Sequence, residues 1–193
     1  MSKTYRLFSV LAIVIFSTLV FSNDKGNTFT DSRDRQMYRT VTIGKTTWLA
    51  QNLNFKTNDS WCYNNDEANC AKYGRLYSWD AAMRACPSGW SLPNNNHWSA
   101  LVSTIGGDAD KLKSRPPAWD GTDEFGFSAM PAGGRLSNGK FVMIGAISGW
   151  WDATEDRSDT DNATFRTMMG GLDEVGEVWN PKSSVGSVRC VKD

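Results

Sequence analysis

Acidic side chains are concentrated in one ten-residue segment of the last third of the chain. Its five carboxylates belong to Asp152, Glu155, Asp156, Asp159 and Asp161. Because Ca²⁺ binds six to eight oxygen ligands, this density of carboxylates indicates a calcium site, although the spacing fits no EF-hand loop. The alternative is an ordinary solvated loop in which Arg157 supplies the counter-charge.

Tryptophan is the second residue type that could do chemistry here, because an exposed indole can stack on the apolar face of a sugar ring while carboxylates and amides bind its hydroxyls. Four tryptophans in polar, loop-like sequence are the candidate ligand-binding residues: Trp119, Trp150, Trp151 and Trp179. Trp119 and Trp179 are the best candidates for exposure, since they are flanked by Pro117-Ala118 and Asn180-Pro181. The alternative is that these rings fill the core beneath long loops.

The cysteine count is even, and this predicts disulfides. Three pairings are possible for Cys62, Cys70, Cys86 and Cys190. The turn-rich sequence between Cys62 and Cys70 favours a short bridge between those two, which leaves Cys86 to pair with Cys190. Such pairing disfavours a reactive thiol, and the wide spacings with only one histidine disfavour zinc.

The sequence gives little evidence for a catalytic site. Ser-His-Asp catalysis would need His97, the single histidine, and no G-x-S-x-G elbow accompanies it. Paired carboxylates could hydrolyse a glycosidic bond if a cleft held them at the right separation, and a secreted hydrolase is therefore an alternative function. No cofactor is expected apart from calcium.

The charge balance argues against a nucleic-acid partner. The 193 residues carry 21 basic and 21 acidic side chains, so there is no positive excess to release counterions from a phosphate backbone.

Hydrophobic patterning predicts the elements that must position these residues. Tyr38–Ile43 alternates as a strand does, and Gly44-Lys45 turns it into a hairpin with residues 46–49. One helix is predicted at residues 79–86 behind the cap Ser78, and a second after Asn94 or Asn95. Further short strands are expected in four runs: 127–130, 141–144, 164–169 and 185–191. The pattern is that of an α+β domain with two short helices, small antiparallel sheets and long loops, whose terminal strands pair.

The N-terminus has the features of an export signal. Lys3 and Arg6 precede an apolar run from Leu7 to Phe21, about fifteen residues and short of the roughly twenty that span a bilayer. We therefore expect a signal peptide over 1–22, a flexible linker over 23–36 and one domain over 37–193, with no stable transmembrane helix after cleavage. An uncleaved anchor helix is the alternative.

Five blocks of sequence, taken in order, resemble the Fibrobacter succinogenes major paralogous domain. The blocks are TTWLAQNLN (46–54), YGRLYSW (73–79), CPSGWSLP (86–93), FGFSAMPAG (125–133) and VRCVKD (188–193). The resemblance implies an exported or surface-attached bacterial module with a C-type lectin-like fold, in which calcium often organises acidic loops. It supplies no catalytic or ligand-binding residues.

Together these features predict a secreted or cell-surface, non-catalytic binding or adhesion module whose partner is a polysaccharide or another component of the cell envelope. A polysaccharide hydrolase and a purely structural surface protein are the alternatives.

Overall fold

The computed structural model describes residues 27–193, so the predicted signal peptide lies outside the described residues. These described residues form twelve strands: β1 (Thr28–Thr30), β2 (Met37–Ile43), β3 (Thr46–Leu49), β4 (Ser60–Trp61), β5 (Leu76–Tyr77), β6 (Gly134–Arg135), β7 (Phe141–Val142), β8 (Ile147–Glu155), β9 (Asn162–Met169), β10 (Gly176–Pro181), β11 (Gly186–Ser187) and β12 (Val191–Lys192). The helices are α1 (Glu67–Tyr73), α2 (Trp79–Ala85) and α3 (Asn95–Thr104), with 3₁₀ turns at Tyr63–Asn65 and Ala109–Lys111. The described chain is thus a mixed α/β domain, mostly sheet.

The first sheet joins the two ends of the domain. Its strand order is β1-β2-β3-β12, and β2 and β3 form the predicted hairpin. The last strand, β12, pairs antiparallel with β3, with Val191 opposite Trp48, which confirms that the terminal strands pair. Of the other predicted strands, only the run at 127–130 forms none; Ala129 there makes a single bridge to Lys113.

The second sheet has six strands in the order β10-β9-β8-β11-β5-β4. Its centre is the long antiparallel pair β8–β9, whose register shifts between Trp151 and Glu155. Strand β10 pairs only with β9 and forms one edge. A separate two-stranded sheet is formed by β6 and β7.

Two of the three α-helices begin where the sequence predicts. The Ser78 hydroxyl caps α2, and Asn94 caps α3 in a reciprocal arrangement in which His97 Nδ1 accepts the backbone N–H of Asn94 at 3.1 Å. The sequence does not predict helix α1, because the turn-rich stretch between Cys62 and Cys70 overlaps its first residues. Its own cap is Asp66, which accepts a hydrogen bond from Ala68 N–H.

The prediction of a flexible linker over 23–36 is wrong for its described C-terminal part. Strand β1 pairs with β2, and its Phe29 ring packs 5.1 Å from that of Trp90. The Asp31 carboxylate is fully buried and accepts a forked hydrogen bond from Arg33, which also donates to the carbonyl of Ala85 at the end of α2. The salt bridge orients Arg33, and the hydrogen bond from Arg33 to Ala85 then attaches this polar segment to the rest of the domain, although the segment has no hydrophobic periodicity.

Both predicted disulfides are present. Cys62 is bonded to Cys70, and Cys86 to Cys190; no described cysteine is free. The short bridge holds α1 against the 3₁₀ turn before it, and the long bridge joins the end of α2 to the segment preceding β12.

The core is built on large aromatic rings. Trp48, Trp98, Trp150 and Phe127 are fully buried, and the ring of Trp48 lies 5.0 Å from that of Trp98 and 5.5 Å from that of Phe127. These contacts bring β3, α3, β8 and the loop before β6 together. Within residues 27–193, no helix is both long enough and apolar enough to cross a membrane.

A fully buried guanidinium lies against this aromatic cluster. Arg189 donates to the carbonyls of Leu49 and Phe127 and to Asn52 Oδ1, and its Cζ is 4.2 Å from the centre of the Phe127 ring. The same Asn52 Oδ1 accepts the indole N–H of Trp150 at 2.8 Å. Burial lowers the pKa of Arg189 to about 9, so the group remains a cation at neutral pH.

We predict that Asn52→Ala destabilises the domain by about 3 kcal/mol or more. The substitution leaves the Trp150 indole without its acceptor and removes one acceptor of Arg189, and each buried unpaired donor costs about 1–3 kcal/mol. Urea unfolding followed by tryptophan fluorescence measures the loss. Asn58→Ala, at an exposed position, is the matched control and should change stability by less than about 0.5 kcal/mol. Equal unfolding free energies for the two variants would contradict the importance of this network.

We also predict a pH-dependent contribution from Asp31. Its burial opposes ionisation, but the Arg33 hydrogen bonds outweigh this and hold the pKa of Asp31 below its usual value. A carboxylate with a lowered folded-state pKa stabilises the fold above its unfolded-state pKa of about 3.9, and that contribution is lost as the pH falls through the folded-state pKa.

Asp31→Asn should therefore lower the unfolding free energy at pH 7 by about 1–2 kcal/mol, since hydrogen bonds to charged groups are in this range. The difference from wild type should shrink as the pH falls below about 4. Guanidinium unfolding at a series of pH values measures it, with the exposed Asp34→Asn as control. A difference that stays constant down to acidic pH would exclude the carboxylate charge as its source.

Candidate functional site at the edge of the six-stranded sheet

The four candidate tryptophans occupy very different environments. Trp150 and Trp151 are completely buried, and only 8% of Trp119 is exposed, whereas 52% of Trp179 is accessible to solvent. The prediction of a ligand-binding role is therefore wrong for the first three, because a ligand cannot stack on a ring enclosed by protein. Trp179 is the candidate that the structure leaves open to solvent.

Trp150 and Trp151 are buried because β8 lies inside the sheet, between β9 and β11. Successive residues of a strand point to opposite faces. Trp150 therefore packs with Trp98, while Trp151 packs on Phe165, with ring centres 4.8 Å apart, and donates its indole N–H to the carbonyl of Tyr77. The adjacent residues Trp150 and Trp151 thus pack into the hydrophobic cores on opposite faces of the sheet.

Trp119 lies under its loop. It belongs to the hydrophobic cluster that contains Trp98 and Met168, and the buried ammonium of Lys113 lies 5.7 Å from its ring centre. Lys113 in turn donates to the carbonyls of Met169 and Leu172 and pairs with Asp110 at 2.6 Å. The ring fills the core at the point where this loop crosses the end of β9.

Trp179 lies on β10, the edge strand, opposite Thr164 of β9. Glu177, two residues earlier, is on the same face because strand side chains alternate with a period of two. Val178, 47% exposed, points to the opposite face. Trp179 and Glu177 thus form an exposed pair, which we call the β10 surface.

An ionic cluster centred on Arg166 of β9 lies next to the β10 surface and fixes the position of Glu177. Arg166, opposite Glu177 in the register, donates to the Glu177 carboxylate at 2.6 Å and to Asp152 Oδ2 at 3.4 Å. It also donates to the Asn95 side chain at the start of α3. One nearly buried guanidinium therefore connects β8, β9, β10 and α3, and it fixes the carboxylate that lies next to the exposed indole.

The acidic segment does not converge into a calcium site. The Asp152 carboxylate is buried and bonded to Thr154 and Arg166, and Glu155 forms an ion pair with Lys182. Asp156 accepts hydrogen bonds from Ser158, and Asp159 from Asn162 and the backbone of Asp161. The prediction that these five carboxylates share one cation is therefore not supported by their positions, since no three of them come together. The register shift in β8 separates Asp152 from Glu155, and turn hydrogen bonds occupy the rest.

One group of metal-ligand residue types does converge among residues 27–193. It consists of Cys62, Glu67 and Cys70. Both sulfurs are joined in a disulfide, so neither is a thiolate that could bind a metal ion.

Asp152 and Glu177 are the two carboxylates that Arg166 brings near each other. Burial raises the pKa of Asp152, while its hydrogen bonds from Thr154 and its contact with Arg166 act in the opposite direction. Such a group resembles a general acid in its electrostatics. Its side chain is, however, completely enclosed, so a substrate cannot contact it without rearrangement of β8.

Sequence reasoning missed Arg166, Glu177 and Arg189. No sequence motif contains Arg166 and Glu177, and only the antiparallel register of β9 and β10 places them opposite each other. The alternation in residues 164–169 is a signal for the strand, but the partner carboxylates lie 14 residues before Arg166 and 11 residues after it.

The geometry defines a mixed α/β domain, mostly sheet, with two disulfides and one exposed indole at a sheet edge. The chain belongs to the Fibrobacter succinogenes major domain family, whose model matches residues 41–192. No curated protein and no solved structure matches the chain.

We predict that alanine substitutions at Trp150 and at Trp179 have very different effects on the free energy of unfolding. Trp150→Ala should cost about 3–5 kcal/mol, the range for removing a large buried ring, whereas Trp179→Ala should cost less than about 1 kcal/mol. Urea unfolding followed by circular dichroism measures both. Trp150→Phe keeps the ring volume better and provides a folded variant if the alanine variant does not fold. A large loss of stability in Trp179→Ala would show that its ring is part of the core.

Proposed function

We propose that this domain is a non-catalytic binding module that attaches to polysaccharide or to another component of the cell envelope through the β10 surface. The observation that carries the proposal is the half-exposed indole of Trp179 beside the fixed carboxylate of Glu177. A large ring that is half exposed is unusual on a domain whose other large rings are mostly enclosed.

The chemistry of the β10 surface suits a sugar. An indole face binds the C–H groups of a pyranose ring, and a carboxylate accepts hydrogen bonds from its hydroxyls. Arg166 holds Glu177 in place before a ligand arrives, so little conformational entropy is lost on binding. The β10 surface lies on an edge strand rather than in a cleft, which favours a long, flat ligand such as a polysaccharide chain.

The proposal includes an oxidising location, secreted or at the cell surface. Two disulfides in one small domain are typical of exported proteins, and the apolar run near the N-terminus fits an export signal. A C-type lectin-like architecture is proposed as well. It is supported by the paired terminal strands and by the long disulfide from the end of α2 to the last part of the chain.

Trp179→Ala is expected to abolish retention of the purified domain on insoluble cellulose or xylan, because the stacking contact is lost. Pull-down with each polymer, with and without calcium, measures the bound fraction. Val178→Ala is the matched control, since it removes an exposed side chain from the opposite face of the same strand. Retention that is equal in the two variants would overturn the role of the β10 surface.

The same assay separates the other functions. Reducing sugar released from the polymer would indicate the hydrolase. Absence of retention on every polymer would favour a purely structural surface protein.

A further inference from the structure

A second, polar site lies on a different part of the molecule. It is a cleft of about 260 Å³ between the β2–β3 hairpin, the end of α1 and the segments around residues 114 and 128–130. Its lining contains no acidic residue. It includes two cations, Arg39 and Lys72, and four amides, Gln36, Gln51, Asn52 and Asn54. We call it the α1 cleft.

The charge in the α1 cleft is positive and unpaired. Arg39 and Lys72 are both exposed, and neither forms an ion pair with a carboxylate of residues 27–193. Arg189 adds a buried positive charge directly behind Asn52. Because Arg39 and Lys72 face solvent, salt screens their charges, but together they still favour a negatively charged ligand.

Asp123 is connected to Arg39 only through Ser128 and forms no direct ion pair with it. Asp123 accepts hydrogen bonds from the backbone N–H and the hydroxyl of Ser128, both at 2.7 Å. Ser128 Oγ in turn accepts a hydrogen bond from Arg39 at 3.2 Å. This contact orients the guanidinium of Arg39 without neutralising it, so its remaining N–H groups are available to a ligand.

The amides provide hydrogen-bonding capacity for a polyhydroxylated ligand. The side-chain oxygen of Gln51, Oε1, accepts a hydrogen bond from the backbone N–H of Arg39. This leaves both side-chain amide hydrogens of Gln51 free to donate. Asn54 Oδ1 is buried and lacks a hydrogen-bond partner. A buried unpaired acceptor is rare in a native structure, and because this oxygen is enclosed, a ligand in the α1 cleft would reach it only after a local shift of the Asn54 side chain.

The walls of the α1 cleft are rigid. The Cys62–Cys70 disulfide holds α1, and Asn52 donates a hydrogen bond to the carbonyl of Tyr73. Gly74 follows with φ +79°, and a Cβ there would lie 2.6 Å from that of Asn52, so only glycine allows this approach. A preformed cleft binds a small ligand with little loss of entropy.

We propose that the α1 cleft binds an acidic sugar unit, such as a uronate of a polysaccharide. The Arg39 guanidinium and the Lys72 ammonium would bind the carboxylate, and the amides would bind the hydroxyls. The combination of unpaired cations with several amides distinguishes this ligand from a neutral sugar, which needs no cation, and from a simple anion, which needs no amide array.

Isothermal titration of the full mature chain with trigalacturonate tests the proposal. Arg39→Gln and Lys72→Gln should each weaken binding by about tenfold to a hundredfold, the effect of losing one hydrogen bond to a charged group. Arg84→Gln, at an exposed position on α2 outside the α1 cleft, is the matched control and should bind as wild type does. Binding should also weaken as the salt concentration rises.

Three results would overturn the proposal. Equal affinity for a neutral galactose trisaccharide would remove the role of charge, and equal affinity for inorganic phosphate would remove the role of the sugar. Unchanged binding in both cleft variants would show that the ligand binds at another site. The proposal is separable from that for the β10 surface, since Trp179→Ala should retain trigalacturonate binding and Arg39→Gln should retain binding to cellulose or xylan.

Discussion

Arg189 brings a positive charge into the aromatic core without a carboxylate bonded to it, and its neutral partners come from distant parts of the chain. Two of these partners are backbone carbonyls, of Leu49 and Phe127, and the third is the amide oxygen of Asn52. Because a buried charge is tolerated only when its hydrogen bonds are made, β3, the loop containing Phe127 and the segment before β12 must all be in place together. The rings of Phe127 and Trp150 add cation–π contacts.

The same network links the core to the two proposed sites. Asn52 bonds Trp150 on β8 and the backbone of Tyr73, so the floor of the α1 cleft and the centre of the six-stranded sheet share one side chain. From β8 the sheet continues through β9 to β10, where Arg166 fixes Glu177 beside Trp179. The two surfaces are thus held by one rigid framework while remaining chemically distinct, one with an exposed indole and a carboxylate, the other with cations and amides.

Local signals in the sequence predicted the local structure. The β2–β3 hairpin and helices α2 and α3 are confirmed because alternation, caps and turn residues act over short distances. The pairing of the terminal strands is also confirmed, but it is a long-range contact, and the Cys86–Cys190 bridge lies beside it. Helix α1 escaped prediction because its seven residues have no apolar stripe and depend on the Cys62–Cys70 bridge. Strand β1 escaped for a similar reason, since its order depends on Phe29 packing on Trp90 and on the Arg33 hydrogen bond to Ala85.

The amino-acid sequence by itself determined the family, the presence of disulfides and the approximate place of the main elements, because block order, cysteine number and periodicity are properties of the chain. It favoured one of three possible disulfide pairings, and the structure contains that one. The tertiary structure alone decided which tryptophans face water: Trp150, Trp151 and Trp179 all lie in similar polar sequence, but β8 is central in its sheet and β10 is at its edge. It also decided the partners of the carboxylates, since Asp152 and Glu177 both pair with Arg166 and not with a shared cation. Burial and ion pairing depend on strand order and register, and these are set by contacts between residues far apart in the chain.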